Sequence, residues 1–104
     1  MARFDVYRHP DPELRRKTPF LLDVQNSHLN QLATRVVIPL RGRDVAPLPL
    51  RDLHPLLEVQ GKPVVLDTTA LAAFPAAALQ SPVANLKASA TDIVTALDTL
   101  FGSY

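Results

Sequence analysis

Residues 20–40, FLLDVQNSHLNQLATRVVIPL, decide the fold of this chain, because two apolar runs flank a polar stretch. Val and Ile favour the pleated backbone, so the pattern predicts strands over residues 20–24 and 34–40. The polar residues 26–33 between them predict a loop or a short turn. Pro39 cannot donate a ladder hydrogen bond, so we expect its strand to lie at a sheet edge or to bulge there.

Further strands are predicted on both sides of this segment. Residues 2–7 alternate, with Phe4 and Val6 on one face, which indicates a half-buried first strand. Residues 56–59 and 63–66 flank Gln60-Gly61-Lys62 and predict a hairpin with glycine at positive φ. We interpret residues 41–44 as a loop. The alanine-rich residues 68–73 are ambiguous, because alanine favours a helix and Pro75 limits its length.

A helix is predicted at the end of the chain. Apolar residues recur every three or four positions, at Leu86, Ala90, Ile93, Leu97 and Leu100, with Val94 and Phe101 widening the stripe. The helix begins either at Ser89, which opens a capping-box-like sequence, or at Ser81 with Pro82 in the first helical position. Gly102 suits its end. Strands followed by one helix predict a mainly β fold of the α+β type, with the helix packed on an antiparallel sheet.

Composition indicates one globular domain, residues 1–104, with a net charge of +1 and no cysteine. These values exclude disulfides and thiolate metal sites and provide no strong field for nucleic acid. The chain has neither an apolar leader nor an apolar run of the roughly 20 residues that span a membrane. We therefore expect a cytoplasmic protein without membrane association.

The sequence offers no catalytic constellation. His9, His28 and His54 are dispersed without metal-type spacing, and we interpret all three as surface or loop residues. Three glycines form no phosphate loop, and no serine lies in a nucleophile elbow. We predict no catalytic residue, no metal and no cofactor.

The end of the predicted helix is the strongest candidate for a binding site. A helix C-terminus carries roughly half a negative charge, and the carboxylate of Tyr104 adds another. Phe101 and Tyr104 place aromatic rings beside it. Such a site suits a partner's arginine through charge attraction, hydrogen bonds and cation–π stacking. The alternative is a frayed tail with Phe101 inside the core.

The motif Leu22-Asp23-Val24-Gln25, followed by residues 35–40 (RVVIPL), resembles the signature of CcdB-type toxins, the gyrase poisons of type II toxin–antitoxin systems. Residues 4–7, Thr68-Thr69, Pro75 and residues 92–101 extend the resemblance. It implies a small, strongly bent antiparallel sheet like an SH3-like barrel, as in CcdB and MazF, with a small side sheet and one C-terminal α-helix. It also implies a homodimer.

The resemblance implies a function by binding, not enzymatic activity. The dimer would bind the DNA gyrase A subunit and trap the cleaved gyrase–DNA complex. A CcdA-like antitoxin would remove it with a flexible tail, and residues 10–19 and 41–47 are the candidate contacts. Operator DNA would be bound only through the antitoxin, with this chain as corepressor.

Gyrase-binding positions are likewise implied by the resemblance. The family's terminal tryptophan falls on Gly102, so this chain departs from the family ending, and Arg3 also takes a gyrase-facing position. The full set of gyrase-binding positions implied in this way is Phe4, Tyr7, Asn26, His28, Leu29, Asp98, Phe101, Gly102, Ser103 and Tyr104.

Two alternatives remain at the level of sequence. One is a CcdB-fold toxin that has lost its gyrase contact. The other is a MazF-like endoribonuclease toxin, in which Arg35 with Asp23 or His28 would supply the cation and the acid–base groups. Against the ribonuclease, Arg35 opens a predicted strand, where a surface or salt-bridge role is the simpler interpretation.

Overall fold

The computed structural model describes residues 1–48, 50 and 52–102. Short 3-10 turns lie between the strands, at Ser27–Leu29, Thr68–Ala70, Ala76–Ala78 and Lys87–Ser89. The regular elements are β1 (Asp5–Arg8), β2 (Phe20–Asp23), β3 (Thr34–Gly42), β4 (Leu56–Val59), β5 (Lys62–Leu66), β6 (Ala72–Pro75), β7 (Ala84–Asn85) and the helix α1 (Ala90–Phe101).

All described strands belong to one antiparallel sheet in the order β4-β5-β3-β2-β1-β7, with β6 branching from β3. The sheet curls into a nearly closed barrel, and at its seam Gln60 donates a hydrogen bond to the carbonyl of Val83, at 3.3 Å. The antiparallel barrel with one C-terminal helix confirms the predicted fold class.

The main core lies inside the curled sheet and is closed by α1. Val6, Leu22, Ile38 and Leu66 are fully buried there, and Ile93 of the helix packs against them. A smaller cluster on the other face of the sheet contains Tyr7, Leu21, Val37 and Leu79. Burying apolar side chains on both faces gives a small domain more of the hydrophobic stabilisation that offsets chain entropy.

β3 pairs with two strands, β6 and β5, along the same edge, and Pro39 lies between the two pairings. Its other edge pairs with β2, where Pro39 lies opposite Leu21. On the shared edge, β6 pairs up to Val37 and β5 begins at Leu40. Pro39 therefore lies in the gap where no ladder donor is needed. The prediction of an edge strand is wrong, because β3 is the most central strand.

The hairpin and the helix end follow their local sequences. Gln60 and Gly61 both have positive φ (52° and 79°), as a tight two-residue turn between β4 and β5 requires. Gly102 ends α1 in the left-handed conformation (φ 78°), and its N–H donates to the carbonyl of Asp98 at 2.9 Å. Both predictions are confirmed.

The helix start is confirmed at Ser89, and the alternative start at Ser81–Pro82 is wrong. Ser89 precedes the helix without a capping hydrogen bond from its side chain. A 3-10 turn over Lys87–Ser89 leads into the helix instead. The inclusion of Phe101 in the buried stripe is also wrong, because its side chain is 69% exposed.

Other local expectations are corrected by tertiary pairing. β1 begins at Asp5 and is buried on both faces, not half-buried, because Val6 lies in the main core and Tyr7 in the second core cluster. Arg41 and Gly42 extend β3, not a loop. His9 and His54 lie in loops, as the prediction of surface or loop residues allows, but each is only 7% exposed, so His28 alone is a surface residue.

Candidate functional site

The N-terminal turn and the loop after β2 form one surface. The backbone N–H of Arg3 donates to the Ser27 hydroxyl at 2.9 Å, and its Nε donates to the Val24 carbonyl at 3.1 Å. The guanidinium lies 4.9 Å from the centre of the Phe4 ring, within cation–π range. Arg3 thus joins the chain start to the loop at residues 26–29.

Phe4 adopts a left-handed backbone (φ 73°), which is unusual for a large side chain. Two backbone hydrogen bonds hold it there, from its N–H to the Asp23 carbonyl (2.7 Å) and from the Leu86 N–H to its own carbonyl (2.9 Å). The ring lies in the main core, 8% exposed, directly under the Arg3 guanidinium. This backbone turn therefore places Arg3 on the surface above Phe4.

Asn26, His28 and Leu29 lie on a 3-10 turn at the other side of this surface. The Asn26 side chain accepts a hydrogen bond from the His28 N–H at 2.9 Å and so caps the turn. All three residues are exposed, Leu29 by 45%. The turn therefore presents an imidazole and an apolar side chain to solvent beside Arg3.

Tyr7 lies inside the protein, with only 1% of its surface exposed. Its hydroxyl is 3.5 Å from Asp5 Oδ2. Burial, together with the negative charges of Asp5 and Asp23, raises the pKa of Tyr7 to about 12. Tyr7 is therefore a core residue, packed in the second cluster with Leu21, Val37 and Leu79.

The C-terminal end of α1 carries the exposed aromatic. Phe101 projects into solvent, which is the first of the two sequence-based alternatives, and the core alternative is wrong. The structure describes this end of the chain as far as Gly102. Within the described residues, the last helical turn contains Asp98 and no basic side chain. The last turn therefore combines the negative end of the helix dipole with an acidic residue. Ser103 and Tyr104 lie outside the described residues.

A family model described as CcdB protein matches residues 3–102. The chain belongs to the CcdB family. Members of this family are toxins of toxin–antitoxin systems that target DNA gyrase. No curated protein matches the sequence. No helix within the described ranges is long and apolar enough to cross a membrane.

The structure brings Arg3 and the predicted residues of the loop after β2 together on one surface. It places Asp98, Phe101 and Gly102 at the end of α1. Arg3, Asn26, His28 and Leu29 are reachable by a partner, whereas Phe4 and Tyr7 are core residues. The salt-bridge interpretation of Arg35 is confirmed, with Asp23 as the partner, but sequence reasoning missed that both side chains are fully buried. The exposed arginine required by the ribonuclease alternative is therefore not available.

Two neighbouring clefts lie on another part of this CcdB-family protein, with volumes of about 270 and 390 Å³. Arg8, Arg15 and the apolar Val83 line both clefts. Pro10 lines the smaller cleft, and Phe20 and Lys62 line the larger one. No acidic side chain lines either cleft in the described part of the chain. Together they form a groove, here called the basic groove, that is both cationic and apolar.

The histidines do not form a metal site. Burial lowers the pKa of His9, whose Nδ1 accepts a hydrogen bond from the Asp11 N–H at 3.0 Å. His54 Nδ1 lies 3.1 Å from the Leu66 carbonyl oxygen. Across the described ranges, no three His, Cys, Asp or Glu side chains are grouped to hold a metal ion.

The buried phenol gives a testable titration. The chain contains two tyrosines, and we expect Tyr7 to ionise near pH 12 instead of at its ordinary 10.0. Because folding raises this pKa, the Tyr7 contribution to stability is complete below pH 10 and is lost between pH 10 and 12. Tyrosinate absorbance measures the pKa of Tyr7, and circular dichroism over the same pH range measures the loss of folded protein. A high-pKa step that persists in Tyr7→Phe would contradict the assignment.

Proposed function

We propose that this chain is a single-domain cytoplasmic toxin that acts as a homodimer on the gyrase A subunit and traps the cleaved gyrase–DNA complex. The observation that carries the proposal is the exposed Phe101 at the end of α1 in a member of the CcdB family. The Phe101 side chain is 69% exposed at the end of the helix, so a partner can reach its ring.

The helix end is suited to an arginine of gyrase. The C-terminal end of the helix dipole provides negative charge, and the Phe101 ring provides a flat face beside it. A guanidinium can use both at once, by hydrogen bonding and by stacking. Ser103 and Tyr104 continue from this end, and in the proposal they extend the same contact.

The surface of Arg3, Asn26, His28 and Leu29 provides a second contact with gyrase. It combines a cation, hydrogen-bonding groups and an exposed leucine, as interface centres often do. In this arrangement the Phe4 ring supports the Arg3 guanidinium from below, and Asp98 contributes at the helix end. Two small contacts on one rigid domain provide specificity without a deep cleft.

Trapping requires a difference in affinity. A toxin that binds the opened gyrase about 10⁴-fold more tightly than the closed one shifts the population from 1:99 to 99:1. The protein then has no bond to make or break, in keeping with a family of poisons and not of catalysts. A homodimer presents two helix ends and so can engage both A subunits of gyrase.

The basic groove is suited to the flexible tail of a CcdA-like antitoxin. Cations Arg8, Arg15 and Lys62 attract acidic side chains, and Pro10, Phe20 and Val83 provide apolar contact. A disordered acidic segment that folds on binding can follow such a groove. The antitoxin would then link this chain to operator DNA, with this chain as corepressor.

A cleavage assay tests the proposal. Purified protein is incubated with DNA gyrase, supercoiled plasmid and ATP, and the DNA is analysed after detergent and protease treatment. We expect linear plasmid that increases with protein concentration and is absent without gyrase. Unchanged supercoiled DNA at saturating protein would overturn gyrase poisoning.

One observation favours a second candidate. Gly102 lies where the family's tryptophan falls, and its left-handed backbone suits glycine. This chain could therefore be a CcdB-fold protein that binds its antitoxin but no longer contacts gyrase. In that case the assay gives no linear DNA, and the gyrase A subunit does not bind the protein in a direct measurement.

A further inference from the structure

The ion pair between Asp23 of β2 and Arg35 of β3 is bidentate, with Arg35 Nε 2.7 Å from Asp23 Oδ2 and Nη2 2.9 Å from Oδ1. Both side chains are fully buried. A buried pair seldom adds net stability over apolar residues of similar size, because the two charges lose their hydration. Stability alone therefore does not account for this pair.

The side chains of the pair also form hydrogen bonds with Gln25, at the start of the loop after β2. Arg35 Nη2 also donates to the Gln25 carbonyl at 3.2 Å. Asp23 Oδ1 accepts from the Gln25 N–H at 3.0 Å, and the Asp23 carbonyl accepts from the Phe4 N–H at 2.7 Å. The ion pair thus fixes the start of the loop, and the backbone of Asp23 also binds the N-terminal turn.

The Gln25 side chain links the start of the loop to its exposed residues. Its Oε1 accepts from the Val36 N–H at 2.9 Å, and its Nε2 donates to the Leu29 carbonyl at 3.3 Å. The first bond ties the side chain to β3, and the second ties the 3-10 turn to the side chain. Asn26, His28 and Leu29 are therefore held by a path of hydrogen bonds that begins at buried charges.

We propose that Asp23, Arg35 and Gln25 are positioning residues for the surface of Arg3, Asn26, His28 and Leu29, which they hold in the geometry that binds the gyrase A subunit. This inference rests on the proposed function for its partner. The physical gain is preorganisation, because a loop that is already ordered loses less conformational entropy on binding.

Gln25→Met tests the inference with little change in volume. It removes both side-chain hydrogen bonds and leaves the ion pair in place. We expect amide hydrogen exchange at residues 28–29 and at Val36 to become about tenfold faster. Affinity for the gyrase A subunit, measured by calorimetry, should fall about tenfold, while exchange at Leu22 and Ile38 stays unchanged.

Arg41→Met is the matched control, because Arg41 is another arginine of β3 and pairs with Asp67 at 2.9 Å. We expect this variant to keep the parent's exchange at residues 28–29 and its gyrase affinity. The double variant Asp23→Leu/Arg35→Met is a second test, expected to loosen residues 25–29 at least as much as Gln25→Met.

The outcomes separate this inference from the function on which it rests. Unchanged exchange at residues 28–29 in Gln25→Met overturns the positioning role. Faster exchange with unchanged gyrase affinity overturns its importance for binding. A parent protein that does not bind the gyrase A subunit overturns both the proposed function and the assigned partner, and the exchange data then still show whether the network orders the loop.

Discussion

Arg35→Ala is expected to lower the free energy of unfolding by about 3–5 kcal/mol. The substitution leaves the Asp23 carboxylate without its cation at a site where neither side chain is exposed. It also removes the hydrogen bond to the Gln25 carbonyl and opens a cavity beside the second core cluster. Chemical denaturation followed by circular dichroism measures the loss.

Arg41→Ala is the control for this prediction. Its ion pair with Asp67 is of similar length, but the Arg41 side chain is 31% exposed, so water can solvate the group that remains. We expect a loss of about 1 kcal/mol or less from this pair. If Arg35→Ala were no more costly than Arg41→Ala, the Asp23 carboxylate would have to reach water or a proton in the folded protein.

The double variant Asp23→Leu/Arg35→Met sharpens the argument. Removing both charges avoids the unpaired carboxylate, so this variant should recover most of the stability lost in Arg35→Ala. Recovery of stability without recovery of gyrase binding is the result expected of residues that position a surface. A double variant as unstable as Arg35→Ala would show that packing, and not the unpaired charge, causes the loss.

Local patterns predicted the elements whose stability is local. The hairpin of β4 and β5 requires positive φ at a two-residue turn, and Gly61 provides it. The helical stripe through Ile93 faces the core, and Gly102 ends the helix. In each case, the residues that determine the structure are close in sequence.

Tertiary pairing decided the elements that local patterns did not predict. The strand β6 forms in an alanine-rich segment because β3 offers it an open edge, although alanine prefers helices. β3 accepts Pro39 because its two partners on that edge meet at this point. Neither fact is present in the local sequence.

The candidate site was predicted in part. Exposure of Phe101 was one of two alternatives, and the structure decides between them. The burial of Arg35 could have been anticipated from register, because Asp23 lies opposite Val37 and Arg35 is two positions from Val37 on the same face. The left-handed backbone of Phe4 had no sequence signal, since glycine or asparagine is the usual residue there.

Phe101→Ala is expected to weaken binding to the gyrase A subunit by about 2–4 kcal/mol, which is roughly a 30- to 1000-fold rise in Kd. Aromatic residues that are exposed in the free protein and covered in the complex are frequent hot spots. The same substitution should change the free energy of unfolding by no more than about 0.5 kcal/mol, because the side chain has few contacts to lose.

Leu56→Ala is the matched control, because Leu56 is also a large exposed side chain (54%) and lies on β4 away from the helix end. It should leave gyrase affinity and plasmid linearisation unchanged. Phe101→Trp should preserve or strengthen both, since an indole stacks on a guanidinium at least as well as a phenyl ring. Removal of residues 103–104 should weaken binding in the same direction as Phe101→Ala.

Together these variants show whether gyrase binding depends on the aromatic ring at position 101 or on any exposed apolar side chain. If binding follows aromatic character at position 101, the helix end contacts a cation of gyrase, and the missing family tryptophan is replaced by Phe101 one position earlier. If Phe101→Ala and Leu56→Ala both bind and poison gyrase as well as the parent, the helix end is not the contact. The surface around Arg3 and Leu29 would then have to supply the affinity by itself.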